Sequence, residues 1–130
     1  MIIENNKPHV LIVEDDLSNS ELFVYAFKDR FSLCTAESAE KAMVCLDNHH
    51  IDLILMDLAL IGDMDGLALT SLIRKNEKWK ELPIIAITAH VMKYDEIRAI
   101  NAGCTEFVSK PVRIKNLINI MEKYISKANP

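Results

Sequence analysis

Glycine is scarce in this chain: Gly62, Gly66 and Gly103 are the only three in 130 residues. None of them follows the first apolar run, Val10-Leu-Ile-Val13, where a nucleotide-binding βα unit needs a glycine- or hydroxyl-rich loop to cradle phosphate. Glu14-Asp15-Asp16 stands there instead, a turn that repels phosphate unless a metal intervenes. Cysteine is also sparse. Cys34, Cys45 and Cys104 are odd in number, with neither a CxxC spacing nor a Cys/His cluster, which excludes a zinc knuckle or a disulfide framework and predicts buried, reduced thiols. Positive charge is in deficit, with 15 Lys and Arg against 19 Asp and Glu, so the basic face that nucleic-acid binding requires is missing. No apolar stretch approaches the length of a membrane span, and Met1-Ile-Ile-Glu-Asn-Asn6 is too short and acidic for a signal peptide. A cytoplasmic protein with no nucleic-acid or membrane partner is expected.

Half the residues are hydrophobic and 26% are charged, enough for a full core under a polar surface. At this length one domain is expected, with residues 1–8 as a tail and 9–128 as the folded unit. Apolar runs and amphipathic segments alternate from end to end. The strands are read at Val10–Val13, Phe31–Thr35, Ile51–Asp57, Ile84–Ile87 and Cys104–Ser109. Ser18 and Asn19 offer caps for a helix through about Arg30, with Leu22, Phe23, Ala26 and Phe27 inward. Ser38 caps the second helix, with Ala39, Ala42, Met43 and Leu46 inward. Gly66 opens the third, whose apolar face is Leu67, Ala68, Leu69, Leu72 and Ile73, ended by the polar stretch before Pro83. A fourth helix from about Met92 to Asn101 is stopped by Gly103, and a fifth repeats apolar residues from Ile114 to Ile125. Five such units predict an α/β fold: a parallel sheet, doubly wound, with helices on both faces.

Four side chains then fall at the carboxyl edge of that sheet: Asp15, Asp57, Thr88 and Lys110. Open α/β sheets place their binding sites there. Singly, each has an ordinary explanation. Adjacent acids in a turn are commonly solvated charge, a threonine ends many strands, and a Lys-Pro pair sits in many surface turns. Asp57 changes the balance, because a carboxylate ending an apolar run is costly without a cation or donor. Carboxylates gathered at one edge repel each other, and a hard, oxygen-seeking ion such as Mg²⁺ relieves that repulsion. Together the four suit phosphoryl transfer by positioning and charge neutralisation, with Asp57 as nucleophile.

At these residues the chain resembles the CheY-like receiver domains of two-component signalling over nearly its entire length. The likeness is carried by Val10-Leu-Ile-Val-Glu-Asp-Asp-Leu-Ser-Asn19, Asp52-Leu-Ile-Leu-Met-Asp57, Met64-Asp-Gly66, Pro83-Ile-Ile-Ala-Ile-Thr-Ala-His90 and Ala102-Gly-Cys-Thr-Glu-Phe-Val-Ser-Lys-Pro111, in that order. The resemblance implies a flavodoxin-like (βα)5 sandwich with strand order 2-1-3-4-5. It implies that Asp57 accepts phosphate from a histidine kinase or histidine phosphotransfer protein, and that catalysis is confined to the chain's own phosphorylation and dephosphorylation. Asp15 and Asp57 would ligate Mg²⁺ by carboxylate, Ala59 by its carbonyl and Glu14 through water. Thr88 and Lys110 would hold the phosphoryl group, Phe107 would swing as Thr88 moves, and the bond before Pro111 would be cis. Without that role, Phe107 is plain core.

The chain departs from the family between Leu58 and Asp63, where the loop is one residue longer and Ile61 replaces an expected proline. Asp63 is expected to face water. Ala59 and His90 occupy the positions that flank the hydrolytic water in the family, and Ala59 cannot orient one, so slow self-dephosphorylation is expected unless His90 substitutes. No effector segment is recognised before Pro130, so a surface is expected to carry output: the fourth helix, fifth strand and fifth helix, near Lys93, Tyr94, Glu106 and Lys115. The same face would suit a phosphorylation-dependent dimer. Two other classes remain to compare. A haloacid-dehalogenase-like phosphatase needs a second Asp two residues after its nucleophile, where this chain has Ala59. A degenerate receiver would act as a phosphorylation-independent interaction module.

Overall fold

The computed structural model describes residues 7–60, 62, 64–89 and 93–128, without the side chains of residues 93, 94, 127 and 128. Five parallel strands, β1 (His9–Val13), β2 (Ser32–Ala36), β3 (Leu53–Asp57), β4 (Ile84–Thr88) and β5 (Glu106–Ser109), form one sheet in the order β2-β1-β3-β4-β5. Helices α1 (Leu17–Phe27), α2 (Ala39–Asn48), α3 (Gly66–Arg74), α4 (Lys93–Ala102) and α5 (Ile114–Ala128) connect and cover it. This is the expected doubly wound, flavodoxin-like architecture.

Every residue of β3 and β4 is buried, as central strands covered on both faces require. Alternate residues of these strands feed two separate cores. On one face Leu11, Val13, Ile54, Met56, Ile84 and Ala86 pack with Leu46, Leu69 and Ala99 from α2, α3 and α4. On the other, Val10, Ile12, Leu55 and Ile87 pack with Phe23 and Phe27 of α1 and Leu117 and Met121 of α5. The rings of Phe23 and Phe27 stack at 5.7 Å, and Phe31 meets Phe27 edge-on at 6.2 Å.

Several local expectations are corrected. Asp16, not Ser18 or Asn19, caps α1: its carboxylate accepts the Asn19 N–H at 3.1 Å. The helix therefore starts at Leu17 and ends at Phe27, short of Arg30. Leu22 is 56% exposed, because Phe23 and Phe27, one turn apart, take the face of α1 that packs on the sheet. In α3, Ala68 and Leu72 also face outward, and Leu69 and Ile73 carry the burial. The polar stretch after α3 contains a 3-10 turn at Glu77–Trp79 that buries Trp79. β2 runs one residue later than Phe31–Thr35, while β3 and β5 begin two residues later than read. Of the cysteines only Cys104 is buried; Cys34 and Cys45 are partly exposed, and all three are free thiols.

Arg74 holds the lower rim together in a way its sequence position does not advertise. Its guanidinium donates to the carbonyls of Gly103 and Trp79, each at 2.8 Å, and to Thr105 Oγ1 at 3.3 Å. Gly103 adopts φ +115°, and a Cβ there would lie 2.6 Å from Arg74 Cγ. Among the described residues no helix is long and apolar enough to cross a membrane.

Candidate functional site

Strand order reverses between β1 and β3, and side chains leaving the carboxyl ends of these strands enter the crevice between them. Val13 is in register with Met56, so the next residues along, Glu14 and Asp57, stand level with each other. Glu14 is held there by its own N–H, which donates to the Ala36 carbonyl of β2 at 2.9 Å. Both side chains are buried, with Glu14 4% and Asp57 6% exposed. Asp15 is partly exposed beside them. One carboxylate oxygen from each of Glu14, Asp15 and Asp57 lies within 4.8 Å of the others, the one such group of three among the described residues.

Lys110 reaches this cluster from β5. Its backbone N–H donates to the Thr88 carbonyl at 2.8 Å, which anchors the turn, and the Lys110–Pro111 bond is cis. Its ammonium lies 3.7 Å from Glu14 Oε1 and 3.9 Å from Asp57 Oδ2. Thr88 ends β4 at 1% exposure. The Ala59 N–H donates to Asp57 Oδ1 at 3.0 Å, and the Asp16 N–H donates to Glu14 Oε2 at 3.2 Å.

The charges are unevenly balanced. Burial, followed by the hydrogen bond and charge of Asp57, pushes the Glu14 carboxyl up to about 7, against the opposing pull of the Asp16 N–H and Lys110. One ammonium does not offset three clustered acids. A cation fits this donor set: three oxygen-bearing groups converge, and a divalent ion relieves the Asp57 repulsion that adds to burial in raising Glu14.

The structure therefore brings together Glu14, Asp15, Asp57, Ala59, Thr88 and Lys110. Phe107 lies apart, half-buried mid-way along β5 and packed on the α2–α4 side of the sheet. Pro111 is exposed at the start of the last turn. Ile61, Asp63 and His90 lie outside the described residues, as do the side chains of Lys93 and Tyr94. On the expected output face, Glu106 accepts the Tyr124 hydroxyl at 2.7 Å, and Lys115 is exposed.

Two residues gained a role that sequence reading had not assigned. Gly66 fits against the end of β3 so closely that a Cβ would meet the Asp57 carbonyl oxygen at 2.5 Å. Asp16 both caps α1 and orients Glu14. The signal for Asp16 was its place immediately before Leu17, three residues ahead of Asn19.

An acid cluster with one ammonium and one hydroxyl at the switch point of a doubly wound parallel sheet defines a class, a sheet-edge site whose charges suit a phosphoryl group and a cation. Residues 10–122 match the response regulator receiver domain family, and the chain belongs to that family, the receivers of two-component signalling. It is 34% identical over 120 residues to the polar-differentiation response regulator DivK of Brucella ovis, covering 92% of this chain and 97% of that protein. The receiver domain of a sensor histidine kinase from Pseudomonas aeruginosa, solved with a magnesium ion coordinated in its active-site cleft, superposes with a TM-score of 0.84. That pair is 26% identical, over 92% of this chain and 98% of that one. A CheY-like receiver domain protein from Methanospirillum hungatei shares the fold at a TM-score of 0.85 and 21% identity, over 94% of this chain and 96% of that one.

Proposed function

We propose that this chain is a phosphoryl-controlled response regulator whose acceptor is Asp57. The observation that carries the reading is the placement of the Asp57 carboxylate: buried, 3.9 Å from the Lys110 ammonium, and within 4.8 Å of carboxylate oxygens of Glu14 and Asp15. A histidine kinase or histidine phosphotransfer protein is the donor. An Asp57 oxygen attacks the phosphorus of its phosphohistidine, the P–N bond breaks as the P–O bond forms, and the imidazole leaves with the electron pair.

Asp57 Oδ1 is oriented by the Ala59 N–H, which leaves Oδ2, on the Lys110 side, to react. Lys110 pairs with the added phosphoryl oxygens, and the Thr88 hydroxyl donates to one of them. Asp15 and Asp57, the Ala59 carbonyl and, through water, Glu14 would hold Mg²⁺, which when bound supplies positive charge against the phosphoryl oxygens. Phe107 follows Thr88, and the changed surface of α4, β5 and α5 is read by a downstream protein or a second copy. The complete set of acids, hydroxyl and ammonium favours this reading over a phosphorylation-independent module.

Incubation with acetyl phosphate and Mg²⁺, followed by intact-mass measurement, is the test. One phosphoryl adduct is expected, absent in Asp57→Asn. No adduct on the wild-type chain, or one that persists in the variant, overturns the assignment.

A further inference from the structure

The sequence treats the three cysteines alike, and the fold separates them. Cys104 is buried and donates to Thr70 Oγ1 at 3.8 Å. Cys34 and Cys45 are both partly exposed and meet where α2 lies over the edge strand β2. Cys34 is in register with Leu11 and points to the same face, towards α2. Cys45 sits in the last turn of α2 and points down onto that strand. Its Sγ reaches the Thr35 carbonyl, the residue after Cys34, at 4.0 Å, which makes the Cys34 and Cys45 thiols electrostatic neighbours across the α2–β2 contact. A cavity of about 220 Å³, lined by His9, Ser32, Leu33, Cys34, His49 and Ile51, opens beside Cys34 at the amino end of the sheet, and Cys45 is partly exposed in its own right.

We propose that Cys34 and Cys45 are a two-thiol oxidation site that closes to an intramolecular disulfide when a peroxide reaches it. Two partly exposed thiols on facing elements, one on β2 and one on the α2 turn that lies over it, are open to a small oxidant and placed on the two sides of one contact, as a disulfide requires. With hydrogen peroxide the first sulfur attacks one peroxide oxygen. The O–O bond breaks, and a sulfenic acid and one water result. The second sulfur attacks the sulfenic sulfur, the S–S bond forms, and the hydroxyl leaves as a second water carrying the remaining thiol proton. Two thiols are oxidised by two electrons and one peroxide is reduced.

The roles within the pair are unequal. Burial, then the neighbouring Cys45 thiol, pushes the Cys34 thiol up to about 12. A thiol that holds its proton so firmly is a poor first nucleophile, which gives Cys34 the resolving step. The cross-link would tie α2 to β2 two residues before Ala36, whose carbonyl holds the Glu14 N–H. The modification therefore falls on the strand that supports the acid cluster, well outside the cluster itself.

The test uses the folded wild-type chain, reduced, freed of reductant and treated with hydrogen peroxide. The peroxide is removed, the protein is unfolded in the presence of N-ethylmaleimide so that every remaining thiol, buried Cys104 included, is blocked, and its intact mass and peptides are measured without reduction. One blocked thiol, Cys104, and a Cys34–Cys45 linked peptide within a monomer are expected. Three blocked thiols, or links that join two chains or involve Cys104, overturn the proposal. In Cys45→Ser the Cys34 thiol should survive the same treatment and take up the blocking reagent; its loss there also overturns the pairing.

Discussion

The carbonyl oxygen of Asp57 and the α-carbon of Gly66 are so close that a methyl group on Gly66 would sit 2.5 Å from that oxygen and 2.7 Å from Leu58 Cα. The neighbouring atoms are backbone, at the end of a fully buried strand, and cannot swing aside. Gly66 also donates its N–H to Leu58 O at 3.4 Å, so the helix start and the acceptor strand are locked together. Gly66→Ala is expected to destabilise the fold by about 1–3 kcal/mol, read by urea unfolding. It should also slow phosphorylation by acetyl phosphate, because relief of the clash displaces Asp57. An unchanged midpoint and rate would show that the loop relaxes freely.

Glu14 sets a pH dependence of opposite sign to that of a salt-bridged acid. Its carboxyl is raised from 4.5 to about 7, so the folded state holds a proton that the unfolded state releases. Its contribution to stability is fully present below pH 4.5 and is lost as the pH rises through about 7. In metal-free buffer the unfolding free energy of the wild-type chain should therefore fall across that window relative to Glu14→Gln, which cannot ionise. Parallel curves for the two proteins would show that Glu14 is not the group responsible. Adding Mg²⁺ should lift the wild-type curve most at the upper end of the window, where the carboxylates are ionised.

Lys110 supplies the one ammonium within 4 Å of Asp57 among the described residues. Lys110→Ala is expected to reduce the initial rate of adduct formation by roughly 10²-fold, measured by mass spectrometry at saturating Mg²⁺. Arg at this position should restore only part of that rate, because a planar guanidinium does not reproduce a point charge. A Lys110→Ala rate equal to wild type would remove the residue from the phosphoryl site.

The Ala59 side chain is exposed beside the acceptor and carries no group that can orient water. Self-dephosphorylation of Asp57 should therefore be slow, and Ala59→Asn should shorten the life of the phosphorylated form by about tenfold through water positioning. Decay of the adduct, followed after removal of acetyl phosphate, checks this. A short lifetime unchanged by His90→Ala would defeat the explanation.

The alternation of apolar runs and amphipathic segments made the parallel sheet legible, because central strands must be apolar on both faces. The acid turn, Asp57, Thr88 and Lys110 were legible for a related reason: a charged or hydroxyl group closing an apolar run has few structural explanations. Helix starts were read less well. Ser18, Asn19 and Asp16 are all capable caps, and only the path of the chain out of β1 selects Asp16. Leu22 faces outward because Phe23 and Phe27 take the sheet-facing side of α1, a phase set by packing against the core rather than by the cap.

By itself the sequence determined the strand and helix types and the four chemical groups at the strand ends, since these follow from side-chain polarity and spacing. Only the tertiary structure decided that Glu14 stands level with Asp57, that Gly66 closes on the acceptor carbonyl, and that Cys34 faces Cys45 while Cys104 does not. Each of these is a contact between residues distant along the chain, set by strand register and by where a helix lands on the sheet. Register and landing depend on packing of the whole core, which no short segment encodes.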